Sequence, residues 1–386
     1  MGEKDPKWSD DTVLVHDEPH AEHAISPPIY QTSNFAFESY HAMVDRFRGD
    51  SDQPVYSRVD NPTVSVLLDK MCQLEGGEAA AAFSSGMAAI SNAILGQVQA
   101  GDRIVCVNHI YPDTYRLLKG VCSRFDISTD FVDGRDLKAI EDALPGAKLL
   151  YLESPNTWVM QEQDLMSIAK VAKCAGVTTV VDNSWASPIY QKPLEAGIDL
   201  VVHSASKYIS GHSDTVAGLL VGDKTIIDQL KLHTTPYLGA KLSAQEAALL
   251  LRGLRTLPLR LKRHHESGLL IANRLAEHEF VTRVYHPGLA SNNFSLLRGY
   301  GGLFSFEIDA ALDIATFCDS LSLFRLGVSW GGHESLVMPA EVSINQAGEY
   351  CAAVDFGVSP RMIRLFIGLE EPEELWQDLC KAFASA

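Results

Sequence analysis

One lysine draws attention through its neighbours. The apolar run Ile198–Val202 reads as a short buried strand, and Ser204, Ser206 and Lys207 follow it directly. Gly211-His212-Ser213-Asp214 then breaks the chain. A lysine just past a buried strand stands at the sheet edge where α/β proteins place their ligands. Partial desolvation can remove its proton and make it a nucleophile or a base. The alternative is a solvated lysine on a loop.

Four further stretches carry chemistry. In Val180–Trp185, Asp182 ends a strand, 25 residues before Lys207, where it can face the same crevice. A buried carboxylate needs a cation, such as a protonated pyridine nitrogen, or it neutralises; the alternative is an Asp that caps the next turn. Ala81–Met87 runs from small residues through Ser84, Ser85 and Gly86 into a helix, and free helix amides beside a glycine make an anion cradle or a plain N-cap. In Val55–Thr63, Tyr56 and Arg58 share one side of an extended segment and could clamp a phosphate, or they mark a surface turn. Asn61-Pro62-Thr63 then starts a helix, with Asn61 as N-cap and proline at the first helical position. Arg364 lies inside an apolar strand and needs a partner there, either a substrate carboxylate or an interior acid. The hinge Ser329-Trp330-Gly331-Gly332-His333-Glu334-Ser335 is suited to line a pocket, with a plain turn as the alternative.

The elements that must position these groups fall into three parts. Residues 1–57 form an aromatic, non-periodic arm that packs on this chain or on another subunit. Residues 58–240 alternate strands (103–107, 128–132, 148–152, 178–181, 198–202, 217–221) with helices (87–95, 115–124, 137–143, 165–175, 224–232). This alternation predicts an α/β unit with a mainly parallel sheet, and continuously apolar strands suit one covered on both faces. Residues 241–386 predict a smaller α+β domain, with long helices over 242–255 and 259–276 and strands at 303–308 and 362–367.

At 386 residues and a formal charge of −17, the chain has no general basic face for nucleic acid or an anionic membrane. Seven scattered cysteines show no metal-binding spacing and suit a reducing compartment. The first residues are polar, with no signal-peptide core, and no apolar run nears the ~20 residues that span a bilayer. The expectation is a cytoplasmic protein.

From about Tyr30 to Glu370 these stretches resemble the pyridoxal-phosphate enzymes of cysteine and methionine metabolism, the cystathionine lyase and synthase family. The Lys207 stretch is specific for that family. Tyr56–Thr63, Ser84–Met87 and Arg364–Glu370 follow its order and spacing. Ser206 departs from the usual threonine but keeps the hydroxyl. The resemblance implies the type I aminotransferase fold of pyridoxal-phosphate enzymes, with a mainly parallel seven-stranded sheet. It implies that Lys207 carries pyridoxal 5'-phosphate as a Schiff base and that Asp182 holds the ring nitrogen. Gly86, Met87, Ser204 and Ser206 would bind the phosphate, with Tyr56 and Arg58 reaching it from a neighbouring subunit. Tyr111 would stack on the ring and Asn156 lie near its hydroxyl. Arg364, helped by the Ser329 region, would take the substrate carboxylate. The implied assembly is a homotetramer of two active dimers.

Within the family, Trp330 before the glycine pair resembles the bacterial cystathionine β-lyase pattern, and so does the lack of glycines after Tyr111. The expectation is β-elimination on an L-amino acid with sulfur at Cβ, with Lys207 and Tyr111 catalytic. His333 leaves open a γ-lyase for cystathionine, methionine or a canavanine-like substrate. A non-catalytic binder of phosphate ligands is the third alternative.

Overall fold

The computed structural model describes residues 8–17, 20–290 and 296–386; positions 1–7 and 18–19 of the proposed arm lie outside them. The larger sheet has seven strands: β1 (Ala79–Phe83), β2 (Arg103–Val107), β3 (Ser128–Val132), β4 (Leu149–Glu153), β5 (Thr178–Asp182), β6 (Leu200–Ser204) and β7 (Gly218–Gly222). Their order is β1-β7-β6-β5-β4-β2-β3. Only β7 runs against its neighbours; the remaining pairs are parallel. Alternate residues of β7 serve different cores: Leu220 joins one apolar cluster, and Leu219 and Val221 join the other. Burial on both faces explains why β4 is an unbroken apolar run up to Glu153.

The second sheet has five strands: β8 (Val281–Tyr285), β9 (Leu303–Ile308), β10 (Arg325–Leu326), β11 (Leu336–Pro339) and β12 (Met362–Phe366). Their order is β10-β11-β12-β9-β8, antiparallel except between β10 and β11. Helices Leu257–Ala276 and Pro372–Ser385 cover it, with Ile271, Phe306, Phe317 and Phe383 in the core between.

Most of the predicted elements appear within one or two residues of their expected ends, and the differences have physical causes. The strand expected at 198–202 begins at Leu200, because Asp199 accepts hydrogen bonds from the Thr179 amide (2.8 Å) and hydroxyl (2.7 Å). The strand therefore carries Ser204, closer to Lys207. Strand β1 was not expected, since its four alanines have little strand propensity. It forms by pairing along the glycine-flanked β7, Ala79 opposite Gly222 and Phe83 opposite Gly218. Strands β8, β10 and β11 were also missed. The helix expected over 115–124 starts at Pro112 and widens to a π-helical turn over Leu117–Cys122. The helix after Asn61 forms as expected, with the Asn61 side chain accepting from the Thr63 amide.

A buried polar network ties the helix Pro62–Glu75 beneath the sheet ends. Glu75 Oε1 lies 2.5 Å from His203 Nε2 and accepts from Asn183 Nδ2 at 3.1 Å. Gln191 Nε2 extends the network by donating to Asn183 Oδ1 and to the Ser154 carbonyl. An unpartnered buried polar group is costly. Replacing Glu75 by Leu should therefore lower stability by about 3 kcal/mol, read as a lower urea midpoint, while Glu75→Gln recovers part of it. An unchanged midpoint in Glu75→Leu would refute the account.

Candidate active site

Parallel β4, β5 and β6 end side by side, and an acid or hydroxyl stands at each end: Glu153, Asp182 and Ser204. A cavity of about 280 Å³ opens there, between the two sheets. It is lined by Lys207, Tyr111, Asp182, Gly86, Met87, Ser204, Ser206, Asn156, Arg364, Ser329 and Trp330. The sequence-predicted residues thus converge, with two exceptions. Tyr56 and Arg58 line a separate cavity. Tyr56 pairs with Asn34 in an isolated β-bridge, but the extended segment ends there: residues 57–59 form a turn, closed by the Val59 amide donating to the Tyr56 carbonyl at 2.9 Å. The Arg58 guanidinium still lies 5.9 Å from the Tyr56 ring centre, because the turn folds it back.

Lys207 is not a solvated loop lysine. Its Nζ donates to Ser329 Oγ at 2.6 Å and sits 5.4 Å from the Trp330 ring centre. Burial pushes its pKa down to about 8, with the Arg364 charge adding to the effect and Asp182 opposing it. The amine therefore loses its proton far more readily than an ordinary lysine.

Asp182 caps the next turn and also lines the cavity. Its Oδ1 accepts from the Ser184 amide at 2.9 Å, capping the turn, and its carboxylate faces the cavity. Its register partner on β4 is Glu153, so two buried carboxylates stand on adjacent strands. Burial raises the pKa of both. Glu153 was not expected, although an acid ending an apolar strand is the signal that marked Asp182. It accepts from the Tyr111 amide (2.7 Å) and the Thr157 hydroxyl (2.6 Å), and so fixes both sides of the cavity mouth. The Tyr111 hydroxyl donates to Asp113 at 3.0 Å. Burial first, then Asp113, pushes its pKa up to about 12, which keeps it a phenol.

The Ser85–Gly86 stretch forms a capped helix start at the cavity. Helix Gly86–Leu95 starts against β6, capped by Ser85 Oγ accepting from the Ala88 amide at 3.0 Å. A Cβ on Gly86 would come within 2.8 Å of Ser204, so only glycine lets the helix start this close. Ser206 lines the cavity while its hydroxyl exchanges hydrogen bonds with the Ala217 backbone. Asn156 is held by its Oδ1 accepting from the Gln161 amide at 2.8 Å.

From the second sheet, Arg364 reaches in from β12. No acid pairs with it among the described residues, which removes the interior salt bridge as an explanation. Burial pushes its pKa down to about 10, so it remains charged at neutral pH. The hinge over Lys207 is a close contact and not a plain turn. Gly331 has φ +92°, and a Cβ there would lie 2.8 Å from Lys207 Cα. Glu334 accepts from Ser213 Oγ, and Glu370 accepts from the Ser335 amide, both at 2.8 Å. These bonds pin the C-terminal end of the hinge, and the Lys207–Ser329 hydrogen bond holds the other.

Among the described residues no group of three or more metal-ligating side chains occurs and no helix is long and apolar enough to cross a membrane. Residues 11–384 match the family model described as Cys/Met metabolism PLP-dependent enzyme. L-methionine gamma-lyase of Pseudomonas putida is 37% identical over 371 residues, covering 94% of this chain and 93% of that one. Cystathionine beta-lyase of Lactococcus lactis subsp. cremoris is 34% identical over 366 residues, covering 93% and 94%. The crystal structure of cystathionine gamma-lyase from Lactobacillus plantarum complexed with L-serine superposes with a TM-score of 0.90 at 35% identity, over 98% of this chain and 99% of that one. With its fold, its converging site and matches along nearly its whole length, the chain belongs to the Cys/Met metabolism family of pyridoxal-phosphate-dependent enzymes and is a lyase of that kind.

Proposed function

We propose that this lyase carries out β-elimination on an L-amino acid with sulfur at Cβ, cystathionine being the favoured substrate. The observation that carries the reading is the Trp330 ring beside Lys207 Nζ. β-Elimination asks the lysine to take one proton, from Cα, and a lysine confined between Ser329 and an indole suits that short reach. γ-Elimination asks it to travel on to Cβ. It is the second reading, favoured by the relative named methionine gamma-lyase.

The residues fit the cofactor. Asp182 is a buried carboxylate whose desolvation is relieved by a cation, and a protonated ring nitrogen supplies one. The Gly86 helix amides with Ser204 and Ser206 suit a phosphate dianion, and Met87 borders it. Tyr111 would stack on the ring and Asn156 would lie near its hydroxyl; both line the cavity. Tyr56 and Arg58 lie outside this cavity and would reach the phosphate of a neighbouring subunit, in a homotetramer of two active dimers. Bound at Lys207, pyridoxal phosphate acts as an electron sink for charge developing at the substrate Cα.

The chain's own groups do the rest. Arg364 takes the substrate carboxylate through its planar fork. Lys207, neutral above about pH 8, removes the Cα proton. The departing thiolate takes a proton from Lys207 or from the Tyr111 phenol. One water then completes the conversion of the three-carbon remainder to pyruvate and ammonia. The seven cysteines are all unpaired, as suits a cytoplasmic setting.

Three experiments test this. Because the neutral amine is the reactive form, reloading of the apoenzyme with pyridoxal phosphate should speed up about tenfold per pH unit below 8 and level off above it. Lys207→Ala should lose the visible band of the bound cofactor and about 10³-fold or more of its activity; a retained band removes Lys207 as the anchor. Incubation with L-cystathionine should yield pyruvate, ammonia and homocysteine. Finding 2-oxobutyrate and cysteine without pyruvate overturns β-elimination in favour of the second reading.

A further inference from the structure

Arg364 is a half-buried cation held without an acid among the described residues. Its described partners are the Val328 carbonyl, accepting from Nη2 at 2.6 Å, Met338 Sδ at 3.3 Å, and the Trp158 ring, whose centre lies 5.5 Å from Cζ. Among the described residues no hydrogen bond uses Nε or Nη1. An acid in this place would fill the guanidinium fork. An aromatic face attracts the same charge and leaves the fork's N–H donors available.

Trp158 is built in for that contact. It lies two residues beyond Asn156, on the loop that follows β4, and is 3% exposed. Its backbone is left-handed, φ +68°, which is unfavourable for a bulky side chain and persists where packing over-determines it. The packing comes from Ala340, Ala353, Val358 and Met362, so the second-sheet region seats a residue of the first. The tryptophan therefore ties the arginine on β12 to the loop that carries Asn156.

We propose that Trp158 is a positioning residue for the substrate carboxylate, holding the Arg364 guanidinium flat so that its fork faces the cavity. This rests on the reading of Arg364 as the carboxylate receptor. Trp158 reaches the substrate through Arg364, and its removal affects ligands that bear a carboxylate.

The test is a spectral titration of the holoenzyme with glycine, an α-amino acid with no leaving group, and with methylamine, which lacks the carboxylate. Trp158→Phe keeps an aromatic face, while Trp158→Met fills similar space without one. We expect glycine binding to weaken about tenfold in Trp158→Met and to stay within about threefold of the parent in Trp158→Phe. Methylamine should bind all three alike. Glycine affinity unchanged in Trp158→Met overturns the proposal. Equal weakening for methylamine and glycine also overturns it, since that marks a general disturbance of the cavity. Should Trp158→Met not fold, the Phe variant decides: a glycine-specific loss of tenfold or more there shows that the face does not suffice and overturns the proposal, and retention supports it. Arg364→Met separates the two readings. If it binds glycine as the parent does, the carboxylate role of Arg364 fails, and the role of Trp158 with it. If it loses glycine while Trp158→Met does not, only the Trp158 proposal falls.

Discussion

Two carboxylates, Glu153 and Asp182, are buried on adjacent parallel strands, and the site is built around the cost of that arrangement. Parallel register puts them side by side at the strand ends. Burial disfavours charge on each and their proximity adds to the cost. Lys207 offsets it at Asp182, and the cavity holds a second cation, Arg364. Those cations in turn repel each other, which helps to hold the Lys207 amine near neutrality. A cofactor ring carrying a proton on nitrogen fits into this balance as a further positive charge.

The balance needs a rigid frame. Ser184, Thr157 and the Tyr111 amide direct hydrogen bonds at the two acids, and the His203–Glu75 contact anchors the strand end behind them. On the other side the Ser329–Ser335 hinge lies against Lys207, with a glycine where a Cβ would strike the lysine backbone. Ser213 and Glu370 hold that hinge. Lys207, Asp182 and Arg364 thus come from two sheets yet share one cavity, and their separation is set by packed backbone.

Much of this was legible in the chain. Short apolar strands alternating with amphipathic helices identified the parallel sheet, because a sheet covered on both faces can tolerate few polar residues. Lys207 and Asp182 stood out because polar groups ending such strands have few structural reasons to be there. β1 stayed hidden because alanine carries little strand signal, and its pairing with β7 is a long-range event. The turn at 57–59 was read as extended because the side-chain types suggested a clamp, and no local residue opposed the reading.

By itself, the sequence determined the fold class, the order of the elements and the types of group that meet at the strand ends, since these depend on hydrophobic periodicity and local chemistry. The tertiary structure decided what those groups do to each other. That Glu153 stands beside Asp182 follows from strand register. That Lys207 is pinned by Ser329 and faces Trp330 follows from packing the second sheet on the first. That Arg364 leans on an indole, with no acid among the described residues to pair with it, depends on a loop 206 positions earlier in the chain. Proton affinity at these groups is set by distance, burial and neighbouring charge, and those quantities exist only once the chain has folded.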